Sequence, residues 1–171
     1  VRRNVFCSVV SAKSEDDAFE RLMRLSLKGT QEREIVHILM SMLMKERTFN
    51  PFYAQLLRRF AEYDKRFVLT LQFAMWDRLR ELDKLKSWQR EHIADALHAL
   101  LLCRAMPLTV LKVIEWGYTS EEQTACLMRI FTKMKEASFV KVTKVFECVL
   151  DGRKNRLLTD GLRLFLQMHF E

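Results

Sequence analysis

Residues that make turns are scarce in this sequence. Four glycines and two prolines among 171 residues exclude collagen-like and low-complexity chains. They also argue against an all-β domain, which needs frequent turn residues. No apolar run reaches the ~20 residues of a membrane-spanning helix, and no signal-peptide pattern is visible. The four cysteines, Cys7, Cys103, Cys126 and Cys148, form no CxxC pair, and each stands among apolar residues. They read as reduced core cysteines of an intracellular protein rather than a disulfide framework.

Reactive constellations are missing as well. HExxH, GxSxG and Gly-rich phosphate loops do not occur. His37 has no carboxylate three or four residues on, His92 and His98 fall on different helix faces, and His169 lies near the end. Asp95 is placed to pair with either central histidine as an ordinary i, i+3 contact. The carboxylates stand mainly at helix starts and on exposed faces, where they cap and solubilise. The expectation is a chain that is not an enzyme, with no catalytic residue, no metal, no cofactor, no small-molecule substrate and no membrane.

What is present favours helices. Apolar residues make up 49% and charged residues 30%, enough for a core and a solvated surface. Leu, Met, Lys, Arg and Glu, all good helix formers, dominate. The net charge of +7 is spread as +2 over residues 1–64, +4 over 65–135 and +1 over 136–171. Such a balance favours acidic partners, RNA among them.

Apolar periodicity and capping residues predict about ten helices. The first runs from Arg3 to Val10. Ser14 caps the second, to Leu27, with Asp16 and Asp17 in its first turn. Thr30 caps the third, to Lys45, with Ile35, Leu39, Met42 and Leu43 on one stripe. Asn50-Pro51 opens the fourth, to Tyr63, burying Phe52, Leu56 and Phe60. Asp64 caps a long helix from Lys65 to Lys84; its middle, FVLTLQFAMW, is apolar nearly all round and predicts the most buried element. Ser87 or Trp88 begins a helix to Cys103 with Ile93, Leu97, Leu100 and Leu101 inward. A short one covers Pro107 to Trp116. Ser120 and Gln123 form a capping box that opens a helix to Lys135. Phe139, Val142, Phe146 and Val149 mark a Val-rich segment for which a strand is the alternative. The last helix runs from Thr159 to Phe170. Gly29, Gly117 and Gly152 stand as C′ glycines after periodic runs. Connections of two to six residues make neighbouring helices antiparallel. The expected fold is all-α: stacked antiparallel helical hairpins, a HEAT-like α-solenoid, as a single domain over residues 1–171. Because it starts at Val1 rather than Met, the chain is expected to be a C-terminal fragment of a longer protein.

Four features are candidates for function, and the first, ERTFNPFYAQL at Glu46 to Leu56, reads as a helix junction with Phe49 and Phe52 as a staple-like pair. Ala61 to Phe67, AEYDKRF, displays Tyr63 among mixed charges at an interhelix corner. The stripe Arg78, Arg80, Lys84, Lys86 and Arg90 is interleaved with Glu81 and Asp83 and reads as a solvated face. Arg153, Lys154 and Arg156 form the purest basic patch, the candidate RNA contact.

Several runs resemble a known family. They are Arg3 to Cys7, Asp17-Ala18-Phe19, GTQEREI at Gly29 to Ile35, Asn50-Pro51-Phe52-Tyr53, Glu62-Tyr63-Asp64, Phe73 through Trp76-Asp77, and LTVLKVIEW at Leu108 to Trp116. Together they resemble the MI domain (also written MA-three), above all that of nucleolar proteins carrying it after a middle domain of initiation factor 4G type. The resemblance covers residues 1–118; from Thr119 the sequence is compatible only. It implies a stack of helical hairpins that binds proteins, in the nucleus and nucleolus, within pre-ribosomal particles that process small-subunit (18S) rRNA. The implied partners are pre-ribosomal proteins, a DEAD-box RNA helicase of the initiation factor 4A subfamily, and pre-rRNA. In helicase-binding members acidic side chains near helix ends meet basic surfaces. That marks Glu15, Asp16, Glu62 and Asp64 here, with Tyr63 and Arg66 from the same corner. The MI domain of a pre-mRNA splicing factor and a direct RNA-binding helical module remain the alternatives.

Overall fold

A computed structural model describes residues 1–150 and 153–170, and every regular element among them is helical. The α-helices are α1 (Arg2–Val10), α2 (Glu15–Arg24), α3 (Arg33–Lys45), α4 (Pro51–Tyr63), α5 (Lys65–Arg80), α6 (Ser87–Leu102), α7 (Glu121–Lys135), α8 (Phe139–Leu150) and α9 (Arg156–Phe170). Short 3₁₀ turns cover Gly29–Glu32, Leu82–Lys84 and Leu108–Val113. The all-α expectation holds, and the Val-rich segment is helix, not strand. The chain divides into two compact units, Val1–Ala74 and Met75–Glu171, with the division falling inside α5.

In the first unit α1 packs on α2 and α3, and α4 packs on α2 and α3. Local chemistry sets the helix ends. The Ser14 hydroxyl accepts the Asp17 N–H at 3.1 Å, and the Asn50 side chain accepts the Phe52 N–H at 3.1 Å. Each satisfies an N–H that the first turn leaves unpaired. Thr30 does not cap α3: residues Gly29–Glu32 tighten into a 3₁₀ turn, and α3 starts at Arg33 without a side-chain cap. Gly29 does have a positive φ of 57°. It opens that turn rather than ending α2, which stops at Arg24 with Ser26 left-handed at φ 51°.

Phe60 is fully buried, with its ring 4.8 Å from Phe19 and 5.0 Å from Phe67. Phe52 is only half-buried, and its neighbour Tyr53 takes the inner position. The Tyr53 hydroxyl donates to Glu46 Oε1 at 3.0 Å. Burial, then the Glu46 carboxylate, pushes its pKa up to about 12.

Asp64 caps α5 as expected, accepting the Arg66 N–H at 2.9 Å. The helix ends at Arg80, where Leu82–Lys84 tightens into a 3₁₀ turn. It is not the most buried element, since Leu69 and Phe73 are each more than half exposed. A helix apolar on all sides is covered only where neighbours reach it, and these two residues lie one turn apart on the open side.

In the second unit α6 packs along α7 and touches α8, while α8 and α9 pack on each other and on Leu108–Val113. Helix α6 is well enclosed: His92 through Leu97 are all buried, as are Leu100 and Leu101. The Ser120–Gln123 capping box forms as read, at 3.1 and 3.3 Å. The short helix expected at 107–116 contracts to the 3₁₀ turn, whose Val110 carbonyl accepts the Trp76 indole N–H at 2.7 Å. Val145 and Val149 form the inner face of α8. Of the residues that marked this segment Val149 is buried, Val142 and Phe146 are half-buried, and Phe139, on the first turn, is 83% exposed.

Helix α9 begins three residues before Thr159, and Gly161 lies against Trp116. A Cβ there would come within 2.2 Å of Trp116 Cγ, so only glycine permits this approach. Gly117 has no positive φ, and Gly152 lies outside the described residues. Of the cysteines only Cys126 is core; Cys7 is exposed, and Cys103 and Cys148 are half-buried.

Candidate functional site

The residues marked in the first unit gather around α2, α4 and the start of α5. Asp16 pairs with Arg59, whose guanidinium also sits 4.6 Å over the Phe19 ring. The Tyr63 ring, 52% exposed, stands 5.8 Å from Phe19 and 6.3 Å from Phe67. Glu62 pairs with Arg58 at 2.8 Å. Arg66 bridges Asp64 and Glu32, each at 3.2 Å. The Arg66 N–H and guanidinium hold the Asp64 carboxyl below its usual range, and Asp64 in turn raises Arg66. Glu15 lies half-exposed on the first turn of α2.

The arrangement is a particular one. An exposed tyrosine on an aromatic base is ringed by carboxylates already matched to arginines. Asp16 and Arg59 meet across two helices, as do Glu32 and Arg66 across 34 residues of sequence. The array is ordered, and its three arginines offset most but not all of the five carboxylates, which leaves an acidic edge. Sequence reasoning placed Phe19 and Glu32 only in runs that resemble the family, and it did not mark Arg59. The signal for Arg59 was available, since it lies one turn before Tyr63 on α4.

The second unit holds a buried ion cluster that sequence reasoning also missed. The Asp95 carboxylate accepts from Arg129 Nε at 2.7 Å and Nη2 at 3.1 Å, and from Lys133 Nζ at 2.6 Å. Its side chain is 8% exposed. Burial opposes its ionisation, but the hydrogen bonds and charges of Arg129 and Lys133 prevail and hold its pKa low. Asp95 thus reaches across to α7, while its charge also acts on His98 of its own helix. Burial, with the charge of Lys133, pushes His98 down toward the neutral form. Cys126 is pushed up to about 12 by burial, which leaves it a protonated, inert thiol. The arrangement locks α6 to α7 and offers no nucleophile beside a base.

The candidate RNA contacts Arg153, Lys154 and Arg156 are exposed at the approach to α9. Arg156 reaches Asp160 only at 4.0 Å. The stripe at Arg78 to Arg90 is a solvated face only in part: Arg80, Lys84 and Lys86 are exposed, with Arg80 3.8 Å from Asp77 and Lys84 3.2 Å from Glu81, whereas Arg78 and Arg90 are half-buried and Arg90 donates to the Leu85 carbonyl at 2.6 Å. Among the described residues no three His, Cys, Asp or Glu side chains converge as a metal site requires. No helix among them is long and apolar enough to cross a membrane.

Comparison with known proteins gives a consistent result. The family described as MA3 domain matches residues 1–107, a span that crosses the division between the two units. Nucleolar MIF4G domain-containing protein 1 of Mus musculus is 40% identical over 167 residues, 97% of this chain. Its Homo sapiens counterpart is 36% identical over 171 residues, 99% of the chain. The chain spans about 20% of the length of each. A pre-mRNA-splicing factor CWC22 homolog of Drosophila melanogaster is 25% identical over 134 residues, 78% of this chain and 10% of that protein. Likeness over nearly its whole length groups the chain with the nucleolar proteins.

Proposed function

The chain belongs to the MA3 domain family, a family of helical interaction domains, and on that footing we propose that it is the non-catalytic docking module of a nucleolar factor that helps build the small ribosomal subunit. Its task is to hold pre-ribosomal proteins within the particle in which 18S rRNA is processed. The observation that carries this reading is the Tyr63 array: an aromatic base, an exposed phenol and a ring of ordered charges. Such a surface binds by complementarity and has no group poised for chemistry. The whole of residues 1–171 serves as one MI-type module, and Arg153, Lys154 and Arg156 add phosphate contacts to pre-rRNA.

A DEAD-box helicase of the initiation factor 4A subfamily is the partner proposed for the array. Glu15, Asp16, Glu62 and Asp64 present carboxylate edges to a basic surface, and Arg58, Arg59 and Arg66 keep them in place. The test uses the full-length protein with Asp16→Lys and Asp64→Lys, captured on such a helicase. Weakened capture is the expected result; full capture by the double variant removes the helicase from the proposal. The splicing reading draws on the likeness to the splicing factor named above. Accumulation of the full-length protein in nuclear speckles rather than the nucleolus would favour it.

A further inference from the structure

The second unit carries an apolar groove that the docking array does not use. It lies among α7, α8 and α9, with a volume of about 450 Å³. Phe131, Met134, Phe146 and Phe170 form its apolar wall, and Lys135 and Arg163 stand on its rim. Phe131 organises the wall: its ring lies 6.2 Å from Phe146 and 6.5 Å from Phe170. The Lys135 ammonium sits 5.1 Å over the Phe170 ring, which fixes one cation at the edge of the apolar surface.

Among the described residues no carboxylate lines the groove. Among the described residues neither Lys135 nor Arg163 has an ion-pair partner, whereas Arg129 and Lys133 on the same helix α7 are satisfied by Asp95. Two uncompensated cations flanking an apolar trough ask for carboxylates flanking apolar side chains. We infer that this groove receives an amphipathic helix of a partner protein, with bulky apolar residues on one face and acidic residues beside them. The apolar residues enter against Phe146, with the buried Phe131 as the floor of the groove, and the carboxylates pair with Lys135 and Arg163. Nucleic acid fits less well. Phe131 is 3% exposed, Phe146 is half-buried, and Lys135 covers a face of Phe170, so no fully exposed ring is displayed for base stacking.

The test titrates the 171-residue chain with a labelled helical peptide of about 16 residues, Leu and Phe on one face and Glu on the other. A twin with every Glu replaced by Lys, and a labelled single-stranded RNA, serve as competitors. Binding is read by fluorescence anisotropy, and its place by the Met134 methyl resonance. The inference predicts that the acidic peptide binds, shifts Met134 and outcompetes the Lys twin. Lys135→Glu with Arg163→Glu, both at exposed positions, should weaken the acidic peptide about tenfold or more and favour the Lys twin. Equal affinity for both peptides, an unmoved Met134 resonance, indifference to the charge reversal, or displacement by the RNA would each overturn it.

Discussion

Removing the negative charge of Asp95 asks whether the α6–α7 pairing of the second unit is held as described. Asp95→Asn keeps the shape of the side chain but takes the anion from Lys133 and leaves Arg129, one turn away on α7, with only Glu91 at 3.9 Å. Deleting one partner of a fully buried ion pair costs about 3–5 kcal/mol, and an exposed pair is worth about 0–1 kcal/mol. Here the anion is 8% exposed while the cations are 38% and 37% exposed, so water screens much of the loss. The expected cost is about 2 kcal/mol, or about 4–8 °C in melting temperature for a chain of this length.

The pH dependence carries a sign. The folded Asp95 carboxyl titrates below its ordinary value. Its stabilisation is therefore complete above the ordinary carboxylate range near pH ~4, and it is lost as pH falls through the folded value. The gap between the two proteins should be full at pH ~7 and shrink below pH ~4. Urea unfolding followed by far-ultraviolet circular dichroism, run at neutral and acid pH, measures both. A gap under about 0.5 kcal/mol at neutral pH, or one that does not close in acid, refutes the reasoning.

Two further outcomes rest on named residues. Gly161→Ala should destabilise by about 1–2 kcal/mol: alanine's helix advantage of about 1 kcal/mol is outweighed by overpacking against the Trp116 Cβ and Cγ, which lie too near the backbone to swing away. Denaturation of a variant more stable than the parent would contradict that geometry. For RNA, filter binding across a salt series should show affinity falling steeply with salt. Replacing Arg153, Lys154 and Arg156 with Ala should flatten the slope by about one for each phosphate no longer neutralised, and an unchanged slope removes these three from the interface.

Legibility in the sequence followed the range of each interaction. Asn50-Pro51, Asp64 and the Ser120–Gln123 box act within three residues of themselves, and each was readable as it stands. The α3 start misled because Thr30 is a good cap by type, yet the 3₁₀ turn before Arg33 is chosen by the path of the chain. Leu69 and Phe73 show the limit of periodicity: it marks which positions are apolar, not how many neighbours arrive to cover them. The corner at Glu62 to Arg66 was visible as a display site. Its pairing to Glu32 and the Asp16–Arg59 bridge were not, because opposite charges 34 and 43 residues apart leave no local mark. Asp95 was assigned to its own helix for the same reason; its partners lie on α7.

The most direct test of the docking account follows the full-length protein on sucrose gradients from cells in which it carries Tyr63→Ala together with Asp16→Lys and Glu62→Lys. If the chain docks through this surface, the variant leaves the pre-ribosomal fractions for the light ones while its circular dichroism stays helical. A correctly folded variant that still sediments fully with the particles contradicts the account.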